Sequence, residues 1–289
     1  MFKYALDLVL RRKMRTFLTS LGITIAVFLI SFIIFGMQDL KGLLVAQFST
    51  QFKPDQVIVS KSSVAGAFGG GVATYDKKAV ETPVIDEKIV KDIASQSSVK
   101  VMQPYTIISG MQLLLPEKKV SMDNAIISAW DIKSSDSYFT SFTGNVESTG
   151  ENEIFINKRV ADYYRMTPEE MIGKKVEISP SKAALLTSRT QSMIGKKYIF
   201  TVVGVYVAGQ KEDEGIVSTK SGIAMLSDLG GFKSSDDYLN KIGFDMLYVT
   251  VDQAKVSEFK SFIKDNYGYQ TIASDDVIAI LDSITQGLT

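Results

Sequence analysis

The 289-residue sequence contains no cysteine and no histidine. Their absence excludes the common zinc site and every nucleophilic arrangement built on a thiolate or an imidazole. No disulfide can form, so burial of apolar surface has to hold any domain together in whichever compartment it works. Tryptophan is reduced to Trp130, and proline to six residues. An excess of one charge is missing too: 32 basic and 32 acidic residues leave a formal net charge of zero. A chain without a basic field gives no reason to expect a nucleic-acid partner. Long apolar runs are absent, with one exception.

That exception is residues 16–37 (TFLTSLGITIAVFLISFIIFGM), 22 residues without a charge. As a helix rising about 1.5 Å per residue they span roughly 33 Å, enough for a hydrocarbon core of roughly 30 Å. Before them stand Lys3, Arg11, Arg12, Lys13 and Arg15, offset only by Asp7. The positive-inside bias therefore places residues 1–15 in the cytoplasm and everything after Gln38 outside, where the balance of charge is mildly acidic. A cleaved secretory signal would have a shorter apolar core and a small-x-small exit, whereas the exit here reads Phe35-Gly36-Met37-Gln38-Asp39. An uncleaved anchor is the reading, against a cleaved signal or a buried helix of a soluble protein. Phe2, Ala5, Leu6, Val9 and Leu10 recur at helical spacing, which predicts a basic amphipathic helix over 1–15 along the inner membrane surface. A solvated extension of the spanning helix is the alternative. The five cations are the candidate membrane-surface and orientation residues, with lipid as their partner, and Gly22 is a candidate for helix packing in the membrane.

After the span, Leu40, Leu43, Leu44 and Phe48 continue a helical stripe, so 38–54 reads as a stalk that Pro54 ends. Residues 57–59 read as a strand and 60–80, with Gly69-Gly70-Gly71, as a flexible loop; no Lys-Ser/Thr follows those glycines as a phosphate cradle requires. Asp86 is a plausible N-cap for a helix with Ile89, Val90, Ile93 and Ala94 on one face. A strand starts at Val99 and Pro104 limits it; residues 105–133 read as strands joined by a turn at Pro116–Lys119. Glu153–Ile156 is a strand and Lys158–Arg165 a helix. Thr167-Pro168-Glu169-Glu170 is a capping box whose short helix Gly173 closes. Val176–Ile178 and Tyr198–Val207 are strands, with a small polar hairpin loop over 180–196. Strand Met246–Val251, helix Ala254–Asn266 and strand Tyr269–Ile272 then repeat the earlier strand–helix–strand plan.

The expected fold is therefore an α+β extracytoplasmic domain on a stalk from a single N-terminal transmembrane helix. Two strand–helix–strand units form a first lobe from 55–123 and 240–274, and 124–239 is an inserted β-rich second lobe. Val277, Leu281, Ile284 and Leu288 form an a/d-like seam, so 275–289 reads as a helix returning beside the stalk.

Several strings carry chemistry on paper. Ser179-Pro180-Ser181-Lys182 matches S-x-x-K, and Lys220-Ser221-Gly222 faintly matches K-T-G. The element between them is missing and about 40 residues cannot hold that catalytic domain, so both read as ordinary polar loops. Glu212-Asp213-Glu214 offers oxygen ligands without the alternating spacing of a calcium loop, and reads as a solvated acidic turn. Trp130 and the tyrosines read as packing residues rather than a ligand platform. No nucleophile, base and orienter fall together, so no catalytic residue, metal site or cofactor is expected.

Arg11-Arg12-Lys13-Met14-Arg15-Thr16-Phe17-Leu18-Thr19-Ser20-Leu21-Gly22-Ile23 resembles the opening of MacB-like (MacB/FtsX-type) ABC transporter permeases, in which a short cytoplasmic helix leads into the first membrane span. Glu153–Val160 (EIFINKRV), Gly173–Ile178 (GKKVEI), Phe200–Val205 (FTVVGV) and Leu247–Val251 (LYVTV) resemble, in order, stretches of that family's extracytoplasmic domain. The resemblance covers nearly the whole chain and rests on order and spacing, since each motif alone is weak. Such permeases return to the membrane in three more helices, and nothing after Asp275 is long or apolar enough to do so. The chain is therefore expected to be an N-terminal part of such a permease, or else a reduced subunit. The resemblance implies a bacterial inner (cytoplasmic) membrane location, a cytoplasmic ABC ATPase on a separate chain or domain, a permease dimer partner, and mechanical coupling of ATP hydrolysis to export or handling of substrate outside. The competing expectation is a stand-alone, signal-anchored extracytoplasmic binding or adhesion module; a surface hydrolase is weaker still.

Overall fold

Gln56–Ser60 (QVIVS) forms the first strand, β1, and its Val57 and Val59 are fully buried on one face of a sheet. The structure, a computed structural model, describes residues 24, 25, 28, 53–61, 84–136, 138–187, 193–208, 213–276, 278 and 279. The chain divides into two compact units, Gln51–Ser274 and a second that joins Met1–Thr50 with Asp275–Thr289. In that second unit Thr24, Ile25 and Phe28 are helical, and Ile25 and Phe28 are exposed. Otherwise the expected helices over 1–15 and 16–37, nearly all of the stalk over 38–54, the glycine-rich loop and most of the helix over 275–289 lie outside the described residues. Among the described residues no helix is long and apolar enough to cross a membrane.

The larger unit starts and ends as two interlocked strand–helix–strand units. Helix α1 (Glu87–Ala94) is capped by Asp86, whose carboxylate accepts from the Ile89 N–H at 2.8 Å. It leads into β2 (Val99–Leu115), and β1 and β2 both pair antiparallel with β9 (Met246–Val251). After β9, a 3-10 turn over Gln253–Lys255 feeds helix α7 (Val256–Tyr267), ended by the left-handed Gly268. β10 (Gln270–Ala273) then pairs with β1. The resulting order β10-β1-β9-β2 is that of a ferredoxin-like sheet. Val57, Val59, Leu247, Val249 and Val251 on its one face share a core with Ile93, Phe259 and Ile263 of the helices.

Between β2 and β9 the chain makes a second body. β3 (Val120–Trp130) pairs with β2, β8 (Gly215–Val217) with β3, and β5 (Glu153–Asn157) with β8. β7 (Tyr198–Ala208) pairs with β5, β6 (Lys175–Pro180) with β7, and β6 returns to β2. Six strands thus close on themselves and leave no open edge within the ring. Alternate residues of these strands, among them Leu113, Ile127, Ile154, Ile156, Val176, Ile178, Phe200 and Val202, form the enclosed core. β4 (Phe139–Gly144) lies along the outer half of β7. Helices α2 (Lys158–Tyr163) and α3 (Pro168–Met171) follow β5; α3 has the expected capping box between Thr167 and Glu170. Helix α4 (Lys182–Thr187) occupies part of the connection read as a polar hairpin loop, and α5 (Thr219–Gly230) and α6 (Ser235–Lys241) lead back to β9.

One expectation is corrected here. Pro104 does not limit its strand: β2 runs through it for 17 residues. Tyr105 O and Ile107 N face the β9 side, so the missing N–H of Pro104 faces the opposite edge. There β3 pairs only from Tyr105 onward, so no ladder bond is lost.

Candidate functional site

Strand registers define a base and a tip for this unit. Val57 pairs with Ala273 and Val99 with Val251, so the segments by which the chain enters and leaves lie on adjacent strands at one end of the sheet. From that end β2 carries the chain away for 17 residues, at most roughly 55 Å at about 3.3 Å per residue. It ends at the Pro116–Lys119 turn, where Lys119 sits at φ 54.

Between base and tip, β2 changes neighbours. Its pairing with β9 ends at Tyr105–Met246, and pairing with β6 begins only at Met111–Pro180. Two register shifts against β3 and the left-handed Gly110 (φ 71) bend the strand in this interval. Asp245, the residue before β9, fills the gap: its carboxylate accepts from the Ile107 N–H at 2.9 Å, and its own N–H donates to Tyr105 O at 3.2 Å. Lys61, just after β1, donates to Ile242 O at 2.6 Å in the loop that leads to Asp245. Burial pushes the Asp245 carboxyl above the usual carboxylate range, opposed by the Ile107 N–H and by the Lys61 charge. Burial likewise lowers Lys61, with Asp245 acting against it.

Ser128 Oγ donates its one hydrogen to Asp213 at 2.6 Å and so accepts from Tyr105 Oη at 2.9 Å. Tyr206 Oη donates to Asp213 O at 2.9 Å. Around them the Trp130 ring stacks on Tyr248 at 4.9 Å and meets Tyr138 edge-on at 5.0 Å; Tyr105 meets both Trp130 and Tyr248 edge-on at 5.5 Å. Trp130 Nε1 donates to Gln103 Oε1 at 3.1 Å. Glu214 accepts from the Ile126 N–H at 2.7 Å; burial raises its carboxyl, against the Ile126 N–H and Arg159.

Asp213 and Glu214 of the acidic turn are therefore not solvated, which corrects the expectation for these two; Glu212 lies outside the described residues. Asp213 is 5% exposed, and it and Glu214 turn inward because Ser128 and the Ile126 N–H need acceptors. Trp130 is a packing residue, as expected. Ser181 caps α4 by accepting from the Ala184 N–H at 3.1 Å, and Ser218 Oγ accepts from Ser221 N at 3.3 Å, so the two enzyme-like strings are helix starts. Among the described residues no group of three or more acidic side chains is placed to hold a metal ion. Lys3, Arg11, Arg12, Lys13, Arg15 and Gly22 lie outside the described residues. Sequence reasoning missed Asp245, Ser128 and Gly110; the available signal was a lone acid directly before the apolar run Met246–Val251.

The Asp245 bond gives a measurable result. Asp245→Ala leaves the Ile107 N–H without its acceptor and should cost about 1–2 kcal/mol, while Asp245→Asn keeps an acceptor oxygen and should cost less. An acid raised in the native state holds its proton where the unfolded chain has released it. Stability from this group is thus greatest at acid pH and falls as pH climbs from about 4 through the raised native value. Denaturant midpoints of the full chain against pH should show a shallower fall for Asp245→Asn; an unchanged slope would sink the assignment.

A ferredoxin-like sheet with a closed barrel inserted, entered and left at one end, is a unit held between two chain segments. Residues 16–264 match the family described as the MacB-like periplasmic core domain, and the chain belongs to that family of periplasmic domains of ABC transporter permeases. The mixed α+β fold is similar to the periplasmic region of MacB from Actinobacillus actinomycetemcomitans, at 12% identity and TM-score 0.52, over 81% of this chain and 95% of that one. The extracellular domain of the noncanonic ABC-type transporter YknZ from Gram-positive bacteria also matches, at 14% identity and TM-score 0.43, over 75% of this chain and 98% of that one. No curated protein matches the sequence.

Proposed function

We propose that this chain is a permease component of a MacB-like ABC transporter, coupling cytoplasmic ATP hydrolysis mechanically to export or handling of substrate outside the membrane. The observation that carries the reading is the extent of the family match, which begins at residue 16 in the uncharged run and continues to residue 264. Adjacent entry and exit strands support it, since a movement of the two flanking segments would act on one end of the sheet. In this reading 16–37 spans the membrane, 38–54 and 275–289 are the stalk, and the lobes are 55–123 with 240–274 and 124–239. Exposed apolar side chains at Ile25 and Phe28 suit a lipid-facing helix. Lys3, Arg11, Arg12, Lys13 and Arg15 hold the cytoplasmic end at the lipid surface, and Gly22 packs against a second permease copy.

The test is co-purification of the full chain after mild detergent extraction. An ATPase with a phosphate-binding loop should accompany it, and its absence would overturn the transporter reading. Orientation is read separately. Because the chain has no cysteine, Ser257→Cys is the single target for an impermeant thiol reagent on intact cells. It should be labelled, and labelling should fall when Arg11, Arg12, Lys13 and Arg15 are all changed to Gln. Labelling only after lysis would invert the topology.

A further inference from the structure

A strand that leaves one sheet for another is ordinarily a hinge. Over residues 106–110 β2 has no strand on its β9/β6 edge, and a two-stranded ribbon of β2 and β3 alone would be a soft connection. This interval is instead filled from three directions. On the open edge, Asp245 takes the Ile107 N–H in place of a neighbouring strand, and Ser181 N donates to Gly110 O at 2.9 Å. On one face, Tyr105 of β2, Ser128 of β3 and Asp213 before β8 form a continuous hydrogen-bonded chain, packed beside the Trp130–Tyr248 stack that joins β3 to β9. From the third direction comes α5, whose Ile223 belongs to the core of the ferredoxin-like sheet while its Met225 and Leu229 belong to the barrel core. Its first turn is fastened to the joint by the Thr219 N–H, which donates to Asp131 Oδ1 at 2.9 Å.

We infer that this joint is locked, so that the ferredoxin-like sheet and the barrel move as one rigid lever, with Asp245 and the Ser128–Asp213 pair as the locks. Packed cores connected in this way switch as bodies rather than deform continuously. A tilt applied where the chain enters and leaves the sheet therefore appears undiminished at the Pro116–Lys119 tip. The inference concerns the unit itself, goes beyond the transport reading, and stands whether or not an ATPase drives the motion.

The experiment uses the full chain in detergent, without nucleotide or partner, so its outcome is separate from that of the co-purification. Spin labels at Ser257→Cys on α7 and Glu169→Cys on α3, both exposed positions, read the distance between the two bodies in an otherwise cysteine-free protein. The expected result is one narrow distance distribution. A broad or two-peaked distribution in this parent overturns the rigid lever outright. Adding Asp245→Ala with Ser128→Ala should abolish the narrow peak, whereas Asp245→Asn, which keeps the acceptor, should preserve it. A peak that stays narrow when both locks are removed overturns their assignment. Loss of folding in the double variant would leave the parent and Asp245→Asn measurements to decide: a broad peak in Asp245→Asn also counts against the assignment.

Discussion

Phe155→Ala should lower the unfolding free energy of the Gln51–Ser274 unit by about 3–5 kcal/mol, the range for truncating a fully buried phenylalanine. Phe155 is 0% exposed and lies on β5, which pairs with β7 on one side and β8 on the other. Its neighbours Ile154 and Ile156 face the enclosed barrel core, so the alternation of the strand turns Phe155 to the outer side. There it meets Phe142 edge-on at 4.8 Å and Phe139 at 6.1 Å, both from β4. Neither partner can follow the deleted ring without breaking the β4–β7 ladder, so most of the cavity should persist. Denaturant unfolding of the full chain measures the loss, and Phe155→Leu, which refills part of the volume, should cost less. Amide exchange should rise first in Phe139–Gly144, because among the described strands that edge strand pairs with β7 alone. A loss below about 1 kcal/mol, typical of a surface substitution, would show that β4 closes over the space.

The contrast between these rings and their strand explains what the sequence made legible. Strong periodicities were readable: the β7 run from Tyr198, the Val256–Phe259–Ile263 stripe of α7, and the Thr167–Glu170 capping box each carry their structure in local spacing. So the two strand–helix–strand units could be read directly. β4 (FTSFTG) and β8 (GIV) could not, since one is short and mixed with glycine and hydroxyl residues and the other is three residues long. α5 (TKSGIAMLSDLG) was hidden by two glycines and two serines, poor helix formers that tertiary packing overrides. Closure of the ring was invisible for a different reason: β2 meets β6 and β9 through partners 63 to 152 residues away, and no local pattern encodes that pairing. The joint suffers the same limit. Asp245 bonds Ile107 across 138 residues and Asp213 bonds Ser128 across 85, so a carboxylate read as solvated turned out to be an internal acceptor. The charged candidates at Lys3 and Arg11–Arg15 belong to a part of the chain outside the described residues, and the topology measurement addresses them.

Gly222→Ala should destabilise the unit by about 2–3 kcal/mol, although alanine is the better helix former by about 1 kcal/mol. The reason is the approach of α5 to β3. A Cβ built on Gly222 would stand 2.1 Å from the Ala129 Cβ and 3.2 Å from its Cα, far inside any tolerated contact. Ala129 is 0% exposed, near the end of β3, where it pairs with Thr106 of β2 on one side and Val217 of β8 on the other, so the strand has no room to retreat. The helix must therefore lift, and in doing so it strains the Thr219–Asp131 bond and withdraws Ile223 and Met225 from the two cores they serve. Exchange of the two side chains separates this account from a general intolerance of substitution. Ala129→Gly alone should cost about 1 kcal/mol as a glycine in a strand interior. In the Gly222→Ala/Ala129→Gly double variant the methyl group moves from strand to helix and the clash disappears. The double variant should be more stable than Gly222→Ala alone, with a coupling of about 1–3 kcal/mol between the positions. Simple additivity in that cycle would mean that the helix does not sit on Ala129. The locked joint would then lose one of the elements that hold it.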